Sequence, residues 1–363
     1  MKKPIVAVQT FWKSQSNYGQ ILQGYALQKF LSNNGYNSYI IRFDSLFSKI
    51  KEFFSCILTM RWRYFQLRTF NKKRQFKSFK KRMNFSKNKY NTLKSLIKNP
   101  PKADCYFTGS DQVWAYMRNL ERRKAYLLDF TKDTAKFAYA ASFGRDSLNN
   151  DEISMFSKCL RDYNFVGVRE ESGMEICNSL HIISYWVTDP VSLITRDEWE
   201  KLISPCNRIK KNKRNIFIYT LSSFENLKPI IPQDNVFNCN YTNPNEINKQ
   251  YQDCTPTIEE WLSLIYHSDF VLTDSFHCMM FCIIFQKNFV IFNRLKGEKM
   301  NNRITSFLKR IGLSDRFVNV DNINLNLHID KIIEWESVSK RFNSWVEESK
   351  DLLLSMLSVI NFK

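Results

Sequence analysis

The sequence predicts an α/β protein of two domains, each built on a parallel sheet. Short apolar runs of β type alternate with stretches of helical period, the pattern of βα units. Residues 268 to 294, SDFVLTDSFHCMMFCIIFQKNFVIFNR, hold one such unit whole. Its apolar run Phe270–Thr273 breaks at Asp274-Ser275, a helical apolar run follows, and Phe289–Phe292 is a second β-rich run. A length of 363 residues, 44% of them hydrophobic, fits two domains of ordinary size with a core in each.

The elements follow in order. Ile5–Thr10 is the first β-type run. Residues 17 to 34 carry a helical period through Ile21, Leu22, Tyr25, Ala26, Phe30 and Leu31, and Gly35 ends that helix. Tyr39–Phe43 is the second strand. The chain therefore opens as β-loop-α-β, with a polar loop at 11 to 19. The backbone N–H groups at that helix start suit an anion. Further strands are expected at 103 to 107, Phe137–Ser142 and Asn164–Val168, with helices at 151 to 160 and 171 to 179. Asp189-Pro190 closes this series. Residues 204 to 214, SPCNRIKKNKR, are polar and basic and read as the domain boundary. Beyond them come the strand Ile216–Leu221, a polar region at 222 to 256, a helix at 257 to 267 and the unit described above. One or two helices at 331 to 358 close the chain. The expected domains are 1–205 and 206–363.

Composition excludes several classes. No run of 18 apolar residues exists, so no transmembrane helix is expected. Lys2-Lys3-Pro4 leads only into the brief run Ile5–Val8, which lacks the shape of a signal peptide. Nine scattered cysteines without a CxxC pair argue against disulfides and structural zinc, and for a cytoplasmic chain. The net charge of +19 is concentrated. Residues 49 to 98 hold sixteen Lys or Arg and one acidic residue, Glu52. Trp62, Phe65, Leu67, Phe70, Phe76 and Phe79 interleave with the charges, which reads as a basic amphipathic insertion in the first domain. Such a stretch suits nucleic acid or an anionic leaflet, or it is a solvated cover. The bulky Phe53, Phe54, Ile57, Leu58, Trp62 and Phe65 favour peripheral contact with the inner face of a membrane. Nucleic acid ranks behind both other readings.

Four stretches carry a resemblance. They are Asn17-Tyr18-Gly19-Gln20-Ile21-Leu22-Gln23-Gly24-Tyr25-Ala26-Leu27, Gly109-Ser110-Asp111-Gln112-Val113-Trp114, Val168-Arg169-Glu170-Glu171 and Thr273-Asp274-Ser275-Phe276-His277. With these in this order, over roughly residues 5 to 310, the chain resembles the polysaccharide pyruvyl transferase family. The resemblance implies two Rossmann-like domains facing a cleft, as in the GT-B glycosyltransferase architecture. It implies transfer of the enolpyruvyl group of phosphoenolpyruvate to a sugar of a polysaccharide repeat unit as a cyclic ketal. Phosphoenolpyruvate is then a co-substrate and no cofactor is needed. The glycan acceptor is expected to be lipid-linked, given the basic segment. The family usually carries Gly after the His, whereas this chain has Cys278, which is expected to narrow the pocket slightly. A nucleotide-sugar-dependent glycosyltransferase of the same architecture is the alternative, and a non-catalytic scaffold is a third class.

Candidate residues follow from strand ends, where parallel sheets bind ligands. His277 is the best placed of four histidines, and imidazole can both deliver and take a proton near neutral pH. Its bland alternative is a histidine capping its own helix. Asp274 orients that ring or caps the helix, and Ser275 is an equal candidate for the cap. Arg169 offers forked donors for the carboxylate and phosphate of the donor, or else pairs with Glu170 or Glu171 at the surface. Asp111 takes a sugar hydroxyl's proton or caps a helix. Trp114 stacks on a pyranose or packs in the core, and packing is favoured. Asn17 and Gly19 form either an anion cradle or an ordinary turn. Arg303 is a weaker anion candidate, and a plain solvated arginine there is at least an equal reading. His267 and His277 lie on different elements and His181 and His328 are isolated, so no metal site is expected.

Overall fold

The structure is a computed structural model. It describes residues 3–14, 17–45, 76–222, 227, 236–242, 256–293, 302–319 and 325–359. The chain divides into two compact units. The first comprises Met1–Gln15, Gln20–Leu193 and Trp345–Lys363; the second comprises Ser16–Gly19 and Ile194–Ser344.

The first unit is a seven-stranded sheet in the order β3-β2-β1-β4-β5-β6-β7. Its strands are β1 (Ile5–Gln9), β2 (Asn37–Phe43), β3 (Phe85–Tyr90), β4 (Cys105–Thr108), β5 (Ala135–Ala141), β6 (Phe165–Val168) and β7 (Tyr185–Trp186). Every pairing is parallel. β4 and β6 are buried at every position, as a sheet covered on both faces requires. The connections carry α1 (Tyr18–Asn33), α2 (Leu93–Lys98), α3 (Leu120–Tyr126), α4 (Asn150–Leu160) and α5 (Glu171–Ser179). Thr92 and Asn119 accept backbone N–H groups at the starts of α2 and α3, which fixes where those helices begin. The strand order grows outward from β1 on both sides, so it reverses between β1 and β4.

The second unit is a five-stranded parallel sheet in the order β12-β11-β10-β8-β9. Its strands are β8 (Arg214–Tyr219), β9 (Phe237–Thr242), β10 (Phe270–Thr273), β11 (Phe289–Phe292) and β12 (Phe317–Val318). Its helices are α6 (Arg196–Glu200), α7 (Ile258–Tyr266), α8 (Phe276–Ile284), α9 (Asn302–Ile311), α10 (Leu325–Asp330) and the start of α11 (Trp335–Ser358). The order reverses between β8 and β10. α8 is apolar nearly all round and buried from Phe276 to Ile283, the expected fate of a helix without a polar face.

Two expectations meet a different arrangement. The division falls at Leu193, upstream of the polar stretch 204 to 214, and α11 from Trp345 onward belongs to the first unit. Trp345 meets Trp186 edge-on at 5.0 Å and donates its indole N–H to the Trp186 carbonyl at 3.1 Å. Ser349 accepts the Thr188 N–H at 3.1 Å. Helical period identifies an apolar face but not the sheet that receives it.

The basic stretch is the second. Its residues 49 to 75 lie outside the described residues. The remainder is part of the first unit. Phe76 and Phe79 are fully buried, and Phe79 meets Tyr25 of α1 at 5.3 Å. β3 then pairs with β2 as an edge strand. Its exposed Lys87 and Lys89 are the charges such an edge uses against further pairing. Among the described residues, no helix is long and apolar enough to cross a membrane.

Lys80 also serves the fold. Its ammonium donates to the Ser14 carbonyl at 2.8 Å. Burial, with the charge of Lys13, pushes its pKa down from 10.5 to about 8. Between those values the unfolded chain binds more protons than the native one, so stability should climb as pH rises through that window. Lys80→Met should be at least as stable as the parent at neutral pH and should lose the climb. Urea unfolding at about pH 7 and about pH 10 checks this.

Candidate functional site

Each unit presents a polar cluster at its strand-order reversal. In the second unit it is built on the β10 end. Thr273 donates its hydroxyl to the Tyr219 carbonyl at 2.6 Å and accepts the Ser275 N–H at 3.0 Å. Asp274 is wholly buried. Its carboxylate accepts from Leu221 N at 2.7 Å, Ser222 N at 2.9 Å and the Ser222 hydroxyl at 2.6 Å. It therefore ties the exit of β10 to the exit of β8. The helix cap falls to Ser275, whose side chain accepts the Cys278 N–H at 3.5 Å.

His277 is the second residue of α8 and only 7% exposed. Its ring lies on the backbone of Gly19. A Cβ at Gly19 would stand 2.2 Å from His277 Cγ and Nδ1, so only glycine leaves room for the imidazole there. The neighbouring Tyr18 holds this segment. It stacks on Trp261 at 5.0 Å, meets Tyr219 edge-on at 5.8 Å and donates its hydroxyl to the Pro256 carbonyl at 2.7 Å. Burial raises the Tyr18 pKa, which keeps that donor protonated. The structure thus makes the Asn17–Gly19 segment the seat of His277, a finer role than an ordinary turn.

Arg303 lies on α9, 8% exposed, with its guanidinium 5.7 Å from the Phe276 ring. Phe276 meets the His277 ring edge-on at 5.7 Å. A guanidinium, an imidazole and the start of a helix therefore gather around Phe276, next to the strand end that holds the buried Asp274. The Cys278 side chain is wholly buried in the packing of α8.

In the first unit the cluster sits at the ends of β1 and β4. Gly109 has φ of 109°, and a Cβ there would stand 2.3 Å from the Tyr139 carbonyl. The Ser110 N–H donates to Gln23 Oε1 at 3.1 Å. Gln23 Nε2 donates to the Thr10 hydroxyl at 3.0 Å, and that hydroxyl donates to the Ser110 carbonyl at 3.1 Å. This ring of hydrogen bonds closes the reversal. Asp111 follows with φ of 75°.

Arg169 is 1% exposed. Its Nη1 bonds Asp189 Oδ2 at 2.9 Å and its Nη2 faces Asp111 Oδ1 at 3.5 Å. The Ser110 hydroxyl donates to the same Asp189 oxygen at 3.2 Å. Burial opposes the Arg169 charge, but Asp189, Asp111 and Glu170 together hold its pKa above the usual guanidinium value. Glu170 itself accepts the N–H groups of Phe143 at 2.6 Å and Gly144 at 3.1 Å. Neither sequence expectation for Arg169 describes this. It is not at the surface, and its fork grips two carboxylates instead of opening toward a donor anion. Carboxylates gathered at buried strand ends need a fixed cation.

Trp114 is 2% exposed, packed on Phe143 and Phe156, and donates to the Tyr126 carbonyl at 3.3 Å. It is a core residue and cannot stack on a pyranose. The sequence reading missed Gln9, Gln23, Asp189 and Ser222. The one available signal was Asp189 before a proline after a short β-type run. Among the described residues, no group of three or more His, Cys, Asp or Glu is placed to hold a metal.

The chain matches the family model described as polysaccharide pyruvyl transferase over residues 17–295. No curated protein matches it. Among solved structures it is similar to S. aureus MnaA in a co-structure with UDP, at 12% identity and TM-score 0.58, covering 100% of this chain and 99% of that one. It is also similar to the Candida albicans trehalose-6-phosphate phosphatase N-terminal domain, at 11% identity and TM-score 0.53, covering 99% and 97%. A UDP-N-acetylglucosamine 2-epimerase follows at 11% identity and TM-score 0.54, covering 98% and 96%. At these identities the likeness is one of fold: two Rossmann-like units in a GT-B-like architecture.

Two substitutions test these placements. Arg169→Ala should destabilise the first unit by about 3–5 kcal/mol in urea unfolding, because it strands buried carboxylates. Gly19→Ala should displace the His277 ring while the sheet persists. Imidazole resonances shifted in NMR, with far-UV circular dichroism unchanged, would show it. Unshifted resonances would remove Gly19 as the seat.

Proposed function

The chain belongs to the polysaccharide pyruvyl transferase family, and we propose that it moves the enolpyruvyl group of phosphoenolpyruvate onto a sugar of a polysaccharide repeat unit as a cyclic ketal. The observation that carries this reading is the gathering of His277, Arg303 and the α8 start around Phe276. The guanidinium and the helix N–H groups suit a dianionic donor. His277 delivers a proton to the methylene carbon, which makes C2 electrophilic. An acceptor hydroxyl adds to C2, and Asp111 is the base assigned to its proton. The bond from C2 to the phosphate oxygen breaks, and phosphate leaves with its charge met by Arg303 and the helix N–H groups. A neighbouring hydroxyl then adds to C2, gives its proton to the imidazole that protonated the methylene carbon, and closes the ketal. Arg169 enters this scheme as the residue that positions Asp111, not as a donor ligand.

The acceptor in this reading is lipid-linked and the protein works peripherally at an anionic membrane face. The support is the charge of residues 49 to 75, which keeps its excess of Lys and Arg after Phe76, Phe79 and Lys80 are assigned to the fold. The alternative, a nucleotide-sugar-dependent glycosyltransferase, rests on the fold shared with the UDP co-structure. The donor separates the two.

Incubation with phosphoenolpyruvate and a lipid-linked acceptor should release phosphate and add the mass of a pyruvate ketal. His277→Ala should lower turnover by about 10²–10⁴-fold with the melting temperature unchanged. Saturable binding of a nucleotide sugar, with none of phosphoenolpyruvate, would instead establish the alternative.

A further inference from the structure

Gln9, the last residue of β1, is wholly buried, and neither Nε2 nor Oε1 has a hydrogen-bond partner. Buried amides are almost always bonded, because an unsatisfied polar group costs free energy that an apolar side chain would not. Ala7, two residues earlier on the same face, is apolar and packs in the core. A second group in the same condition lies on the adjoining strand end. Asp111 is 6% exposed; its Oδ1 faces Arg169, while its Oδ2 is buried without a partner.

The sheet places the two on neighbouring strands at the order reversal. Gln9 is the register partner of Thr108, three residues before Asp111. Register partners in a parallel pair point to the same face. The Thr108 hydroxyl donates to the Tyr126 carbonyl at 2.7 Å, so the Gln9 amide lies on the α3 side of the sheet. Phe11 and Tyr126 meet there edge-on at 5.1 Å. The partly exposed Arg122 guanidinium lies 5.4 Å from the Phe11 ring and 5.7 Å from the Tyr126 ring.

We propose that Gln9 and Asp111 form a sugar-binding subsite at the β1–β4 reversal of the first unit, with the partly exposed Phe11 ring, backed by the core residue Tyr126, as its wall. The unmet atoms define the ligand chemistry. Asp111 Oδ2 and Gln9 Oε1 accept; Gln9 Nε2 donates. Adjacent hydroxyls of a neutral sugar ring, each able to give and take a hydrogen bond, match that set. An anion is repelled by the Asp111 carboxylate. The Phe11 ring suits the apolar face of a pyranose. The assignment of this sugar as the acceptor rests on the pyruvyl transfer proposed above; the subsite itself does not.

The test is Gln9→Met, which keeps an unbranched chain of similar volume and removes the amide. The melting temperature should stay equal or rise, since an unsatisfied buried group is lost. Saturation-transfer NMR of the full chain with a panel of free hexoses and N-acetylhexosamines, without phosphoenolpyruvate, should show a sugar bound by the parent and at least about tenfold more weakly by the variant. In the transfer assay the acceptor KM should rise by a similar factor while that of phosphoenolpyruvate holds. Sugar binding without any pyruvyl transfer would sink the proposed activity and leave the subsite standing. A lower melting temperature with sugar binding intact would overturn the subsite and make Gln9 structural. No sugar bound by the parent would overturn it too. Should Gln9→Met fail to fold, Gln9→Leu carries the same readouts.

Discussion

Each sheet of this protein grows outward in both directions from its first strand, and the gap beside that strand is the constraint on which both clusters depend. Successive right-handed crossovers on either side of the gap place their helices on opposite faces. The strand ends between them are left uncovered and must be satisfied by side chains. The two units solve this at equivalent positions. β4 stands to β1 as β10 stands to β8, and the stretches Gly109–Trp114 and Thr273–His277 follow β4 and β10. In one unit Gln23, Thr10 and Ser110 close the gap. In the other a single carboxylate, Asp274, collects three donors from the opposite strand exit.

The two gaps differ in charge. Around Arg169 stand Asp111, Asp189 and Glu170, so one buried cation faces three carboxylates. Around Phe276 stand Arg303, His277 and the N-terminal end of α8, with one carboxylate, Asp274, at the adjoining strand end. The three carboxylates of the first gap explain why position 169 is arginine. A buried carboxylate cluster without a fixed counter-charge protonates or unfolds, and a planar fork can address two acids at once.

How much of this the sequence disclosed depended on burial pattern. β10 and β11 were legible to the residue, because four consecutive apolar residues bounded by polar ones admit few readings. β3 and β9 were not. FSKNKY and FNCNYT are edge strands, and β3 carries its polar residues on the exposed side; there propensity gives no apolar run to find. In β3 the surrounding lysines also made a structural strand look like part of a solvated insertion. The motif residues were found, yet several roles were not. Asp274 was placed at the strand end, but its partners at 221 and 222 lie 52 to 53 residues away. Arg169 and Asp111 are 58 residues apart. Long-range pairing of this kind has no local signature.

The first motif shows the same limit more sharply. Residues 17 to 27 read as the opening of one helix, and most of them are. Residues 17 to 19 nevertheless belong to the second unit, held there by the Tyr18 ring on Trp261 and Tyr219. The motif combines two requirements in one run: an aromatic anchor, and a glycine whose missing side chain receives the histidine more than 250 residues later. The imidazole thus lies against backbone at Gly19. This accounts for the tolerance of cysteine where the family usually has glycine. At position 278 the side chain is wholly buried in the helix packing. The seat of His277 is formed by Gly19, on another part of the chain, so a larger residue at 278 leaves it unchanged.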